Sequence, residues 1–124
     1  MSDPSSTQPV IPDCSVSVSW TAETAVLAVT GTVDMLTAST LEAAIAAAIA
    51  PNPTAVIVDL TDVDFLASHG MRVLIEAHNS MAPEMVFIVV ADGSITARPM
   101  KLIGLTEIIT VYPTLGEAML GLAA

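Results

Sequence analysis

Most of the side chains in this sequence that could do chemistry stand in one short stretch: Asp59, Asp62, Asp64, Ser68 and His69. The three carboxylates follow the aliphatic run Ala55-Val-Ile-Val58. That is where an open α/β sheet places its sites, at the carboxyl end of a buried strand. An aspartate that accepted phosphate there would also need an acidic pair after the first strand and a lysine after the last. The corresponding positions are Trp20-Thr21 and Tyr112-Pro113, so that chemistry is unsupported. The aspartates read instead as a strand cap and a solvated turn. A nucleophilic Ser68 would need a general base and an oxyanion hole. His69 is its direct neighbour, and adjacent residues on a helix point about 100° apart, so the two cannot form a working dyad. His78 falls on the apolar side of the same predicted helix and reads as a packed histidine. Cys14 is far in sequence from both histidines, and no spacing resembles a metal cage. The glycines form no phosphate-cradling loop. No catalytic set, metal or cofactor is expected.

These residues need elements to hold them. Residues 15–20 alternate strictly, placing Val16, Val18 and Trp20 on one face of a strand. A polar turn leads to a second strand over 25–30, and the two predict an antiparallel hairpin. Gly31-Thr-Val-Asp34 breaks that pattern. Ser39 and Glu42 offer a capping box for a helix over 38–50, which Pro51 and Pro53 stop. Residues 55–59 form a strand buried on both faces. Ser68 then caps a second helix whose inner face holds Met71, Leu74, Ile75 and His78. A strand over 85–91, a short helix over 96–103, a strand over 108–112 and a final helix opened by Thr114 and Glu117 complete the order ββαβαβαβα. Strands alternating with helices predict a single α/β domain over 14–124, a mixed sheet packed against helices. Residues 1–13, with three prolines among serines, predict a loose tail.

Composition narrows the function. Hydrophobic residues make up 53% of the 124, enough for a packed core, while aromatics reach only 3%, so aliphatics must do the burying. Three basic residues, Arg72, Arg98 and Lys101, against thirteen acidic ones give a net charge of −10. Phosphate backbones and anionic lipid repel such a chain, which argues against nucleic acid and membrane partners. A role in transcription would run through a protein partner. The single cysteine cannot form an internal disulfide and fits a reducing cytoplasm. Cys14 itself reads as a plain tail or strand-edge residue. The apolar runs at 43–50 and 85–91 are about half a membrane span or less, and the amino terminus does not resemble a signal peptide.

The segment Val58-Asp-Leu-Thr-Asp-Val-Asp-Phe-Leu-Ala-Ser-His-Gly-Met71 resembles the signature of STAS domains, particularly of bacterial anti-sigma factor antagonists. In that family a buried strand ends in Asp/Asn-Leu-Ser/Thr, and Phe-x-Asp-Ser-x-Gly-Leu then opens a helix. Asp59-Leu60, Phe65, Ser68 and Gly70 match by position. Gly31-Thr-Val-Asp34 resembles the family's Gly-Glu-x-Asp turn, and Thr37, Ala38 and Leu41 the Thr-Ala-x-x-Leu that follows. Where the family carries an aspartate before its serine, Ala67 stands here, followed after the serine by His69. The resemblance spans about residues 15–122. It implies a protein that is the substrate of a kinase and not itself an enzyme. It also implies Ser68 as the phosphoacceptor, and as partner an anti-sigma factor with serine kinase activity, bound in the unphosphorylated state to free a sigma factor. The implied partner surface comprises Asp34, Ser68, His69, Gly70 and Met71. A STAS domain serving as scaffold or subunit of a larger signalling complex is the alternative.

Overall fold

A computed structural model describes residues 13–123. The elements are β1 (Cys14–Thr21), β2 (Thr24–Val33), α1 (Ala38–Ile49), β3 (Ala55–Leu66), α2 (Ser68–Ser80), β4 (Val86–Val90), α3 (Ala97–Leu102), β5 (Thr110–Tyr112) and α4 (Leu115–Ala123), with a 3-10 turn at Leu105–Glu107. The order matches the ββαβαβαβα expectation. The five strands lie in sequence order, β1-β2-β3-β4-β5. β1 pairs antiparallel with β2, and the remaining pairs are parallel. The expected tail lies outside the described residues except for Asp13, whose carbonyl accepts the Thr32 N–H at 2.8 Å.

Sequential strand order has a direct consequence. Parallel crossovers share one hand, so a sheet that never reverses direction carries all its crossover helices on one face. That face holds the main core: Leu27, Val29, Val56, Val58, Leu60, Phe87 and Val89 from the strands meet Leu41, Ile45, Leu74 and Met100 from the helices. Each such aliphatic side chain contributes about 1.5–3 kcal/mol by leaving water. Among the described residues, the other face receives only α4, which covers Val26, Ile57, Ile88 and Val90 with Ala118, Leu115, Met119 and Leu122. β3 and β4 are buried on both faces here, which is why their sequences are unbroken aliphatic runs. Thr114 opens α4 as expected: its hydroxyl accepts the Glu117 N–H at 3.1 Å.

Several boundaries depart from the sequence reading. β3 does not end at Asp59 but continues to Leu66, and β2 runs on to Val33, the two staying paired through register shifts near Thr30 and Thr32. Bulges of this kind break the period-two pattern without ending the strand. The aspartates are therefore strand residues rather than a turn. The Ser39–Glu42 box is not used, because helical bonding begins earlier: the Ala38 N–H reaches the Asp34 carbonyl at 2.8 Å. Ser68 is the first residue of α2 rather than its cap; Ala67 holds the cap position, and no side chain bonds the helix start. Cys14 opens β1 with its side chain buried in the core. Val18 and Trp20 lie on the inner face of β1, yet stay 44% and 47% exposed because β1 is the sheet's edge.

Candidate functional site

β2 and β3 deliver their chain ends to one corner of the sheet. Thr32 pairs with Phe65 and Val33 with Leu66. The Ala67 N–H donates to the Val33 carbonyl at 2.8 Å, and the Thr32 hydroxyl donates to Asp64 Oδ1 at 3.0 Å. The start of α2 is thereby tied to the end of β2. Gly70 makes the tie close. A Cβ there would come within 2.5 Å of Val33 Cγ1 and 2.9 Å of Leu66 Cδ1, so only glycine fits without movement.

Asp34 leads from β2 into α1 and is locked in place. Its Oδ1 accepts the Leu36 N–H at 2.9 Å and the Thr37 N–H at 3.1 Å. The Thr37 hydroxyl accepts the Asp34 N–H at 2.9 Å and donates to the Thr32 carbonyl at 2.7 Å. This is a reciprocal capping box built from aspartate and threonine, and it satisfies the donors of the turn that leads into α1. Thr37 is buried beneath it.

Ser68 and His69 are both exposed on the first turn of α2, and Arg72 follows one turn later, also exposed. The structure thus brings Asp34, Ser68 and His69 to one corner. Gly70 and Met71 do not share that surface: both side-chain positions are buried, because they face β2 and the core. The partner contact expected of them is corrected to support from beneath. The sequence reading missed Met35, Leu36 and, as an exposed side chain, Phe65. They are 66%, 68% and 54% exposed and leave the same two strand ends. Their signal was visible: large apolar residues in segments that pattern as connections have no core to enter.

The other candidate groups are occupied within the fold. Asp59 Oδ1 accepts the Thr61 N–H at 3.0 Å and the Thr61 hydroxyl at 2.5 Å. Asp64 holds Thr32. Among the described residues no cluster of His, Cys, Asp and Glu could hold a metal ion. His78 is half-buried, its ring 6.4 Å from that of Phe87 and tilted by 36°. Burial, followed by the nearby charges of Asp13 and Asp34, pushes the Cys14 thiol above its ordinary pKa, so it stays protonated and poorly nucleophilic near neutrality. A cleft of about 290 Å³ between α1 and α2 is lined by Glu42, Ile45, Ile49, Val73, Glu76 and Ala77 among others, away from Ser68. No described helix is long and apolar enough to cross a membrane.

Comparison with known proteins bears on the family and the fold. A family model described as STAS domain matches residues 16–118. The anti-sigma-F factor antagonist RsfB of Mycobacterium tuberculosis is 41% identical over 97 residues, covering 78% of this chain and 80% of that protein. The crystal structure of an anti-sigma factor antagonist from Mycobacterium paratuberculosis superimposes with a TM-score of 0.87 at 37% identity, covering 90% of this chain and 96% of that one. The Bacillus cell fate determinant SpoIIAA, solved in its phosphorylated form, shares the fold with a TM-score of 0.61 at 21% identity, over 85% of this chain and 96% of its own.

Proposed function

The chain belongs to the STAS domain family, and on that footing we propose that it is an anti-sigma factor antagonist switched by phosphorylation of Ser68. In this reading it binds an anti-sigma factor that is also a serine kinase, releases the sigma factor, and lets go once Ser68 carries phosphate. It acts as a substrate and binding module, not as an enzyme, in the cytoplasm. The observation that carries the reading is the Ser68 hydroxyl itself: exposed, on the first turn of α2, at the corner where β2 and β3 end and where Met35, Leu36 and Phe65 are also exposed.

The physical logic of the switch follows from that placement. A phosphate brings about −1.5 to −2 charges. At the head of α2 the free N–H groups and the helix dipole favour an anion by about 0.3–1 kcal/mol, so the fold tolerates it. A partner that covers this corner, with its exposed Met35, Leu36 and Phe65, removes water from the serine as well. A neutral hydroxyl enters such a contact at modest cost, whereas a phosphate must be desolvated, and each ~1.4 kcal/mol lost weakens binding tenfold. Asp34 and His69 complete the partner surface, with Gly70 and Met71 holding it from below. Ala67 removes a negative neighbour from the acceptor, which bears on phosphorylation rate more than on binding.

The test is incubation with the cognate kinase and ATP, followed by peptide mass spectrometry. One phosphoryl group should map to Ser68, and Ser68→Ala should abolish it. Phosphate found only on the exposed Thr61 would overturn the assignment.

A further inference from the structure

The outer edge of β1 is unlike the rest of this surface. Residues 14–21, Cys-Ser-Val-Ser-Val-Ser-Trp-Thr, contain no charge and no proline, in a chain of net charge −10. β1 pairs with β2 in unbroken register over all eight residues, so no bulge twists its edge away. Charges, prolines and bulges are the usual means of blunting an edge strand, and β1 has none of them.

The direction of its free backbone groups can be worked out. The hairpin closes on Thr21↔Thr24 across two residues, which makes that pair hydrogen-bonded. The bond from Thr32 N to Asp13 O sets the same phase at the other end. Odd-numbered residues therefore turn their backbone groups to β2, and Val16, Val18 and Trp20 turn theirs to the edge, which pairs with no other strand among the described residues. The side chains of these three lie on the helix-covered face, with Val18 and Trp20 about half exposed.

The helix layer above is equally bare of charge. α1 packs over β1 and β2. Its Glu42 faces the α2 side, lining the cleft there with Ile45, Ala46 and Ile49. At about 100° per residue, the opposite flank toward the β1 edge is then Thr40, Ala43, Ala44 and Ala47.

We propose that β1 is a self-association edge, through which two copies pair antiparallel about a two-fold axis at Val18 and join their sheets into one. A second copy is the occupant that the sequence of the strip favours, because it reads almost the same in both directions about Val18: Ser17 with Ser19, Val16 with Trp20, Ser15 with Thr21. Two chains of like net charge repel across most faces, and between Cys14 and Thr21 there is no charge to oppose the copy. An antiparallel strand is also complementary to itself under a two-fold axis, as an isologous contact requires. The backbone phase permits Val18 opposite Val18, with Val16 of one copy opposite Trp20 of the other, an aromatic–β-branched pair of the kind that stabilises ladders. At the strip's ends Asp13 then meets Glu23 of the other copy, so salt should tighten the association rather than weaken it. Ser68 stands at the end of β3, two strands in, and remains open.

Sedimentation velocity on the full chain, from micromolar to millimolar concentration, tests this. The expected result is a reversible monomer–dimer equilibrium, tighter at higher salt, with a blue shift of emission from Trp20, the single tryptophan. Val18→Glu and Val18→Lys each place like charges face to face on the axis and should weaken association at least about tenfold. Mixing the two variants should restore it, an outcome that a general loss of folding cannot give. A monomer at every concentration, a dimer weakened by salt, or a Val18→Glu dimer as tight as wild type would each overturn the proposal.

Discussion

The two helices that start where β2 and β3 end begin in opposite ways. α1 is led in by Asp34 and Thr37, whose side chains answer each other's backbone donors. α2 starts from Ala67 and Ser68, with no side-chain cap at all. Both starts leave neighbouring parallel strands, and both are tied to β2. The difference shows that stability and availability are divided between neighbours. The α1 head is a rigid post, closed by its own hydrogen bonds. The α2 head keeps a hydroxyl exposed and unengaged, and its position is fixed by backbone and packing through Ala67, Leu66 and Gly70 instead of by a cap. On the proposed reading, modifying Ser68 leaves untouched what holds its helix in place.

The largest test of that division is Gly70→Ala. If packing alone fixes the α2 head, a methyl group driven against Val33 and Leu66 should cost about 1–3 kcal/mol. Thermal unfolding would show a melting temperature lower by several degrees. Partner affinity should also fall, because the helix start moves relative to Asp34. A variant as stable as wild type would mean that Val33 gives way easily and that the α2 head is not locked from beneath.

Asp34→Ala should act next, at about 0.5–2 kcal/mol, the usual loss for removing an N-cap. Asn keeps the accepting oxygen, so Asp34→Asn should retain most of that stability. The pair separates Asp34 as a cap from Asp34 as a charged contact. Urea titration should rank wild type and Asn together above Ala, and weak partner binding by a fully stable Asn variant would show that the charge itself is read. Equal stability of all three would remove Asp34 from its post.

How far the sequence revealed this depends on the kind of signal. Element order was legible, because buried parallel strands and amphipathic helices differ in period and length. The Thr114–Glu117 box was legible too, since nothing competed with it. The Ser39–Glu42 box had an equally good rival five residues earlier, and tertiary pairing of β2 with β3 favoured Asp34. The continuation of β3 past Asp59 was hidden by bulges, which shift the side-chain alternation while the ladder persists. Cys14 went inward and Val18 and Trp20 partly outward because burial depends on which strand is the edge, and periodicity carries no information about that, whereas the inward face of Met71 was legible from helical spacing. Ser68 was identified through its motif. Its standing as an exposed, uncapping residue came only from the backbone.

That standing gives the smallest and sharpest expectation. A serine that capped α2 would lose about 0.5–2 kcal/mol on truncation. Ser68 is the first helical residue and makes no capping bond, and alanine is the better helix former there. Ser68→Ala should therefore leave stability within about 0.5 kcal/mol of wild type. Ser68→Asp puts a carboxylate where the helix dipole favours it, so it should be equal or more stable by about 0.3–1 kcal/mol. Their order in binding should be the reverse. The alanine variant offers a neutral surface at this corner and should hold the anti-sigma partner as wild type does, whereas the aspartate must be desolvated and should bind more weakly. Two melting curves and two titrations decide it. A clear stability loss in Ser68→Ala would show that the hydroxyl caps α2 after all, and the contrast between the two helix heads would fail. Equal affinity of the two variants would leave the contrast standing but remove charge as the signal that releases the partner.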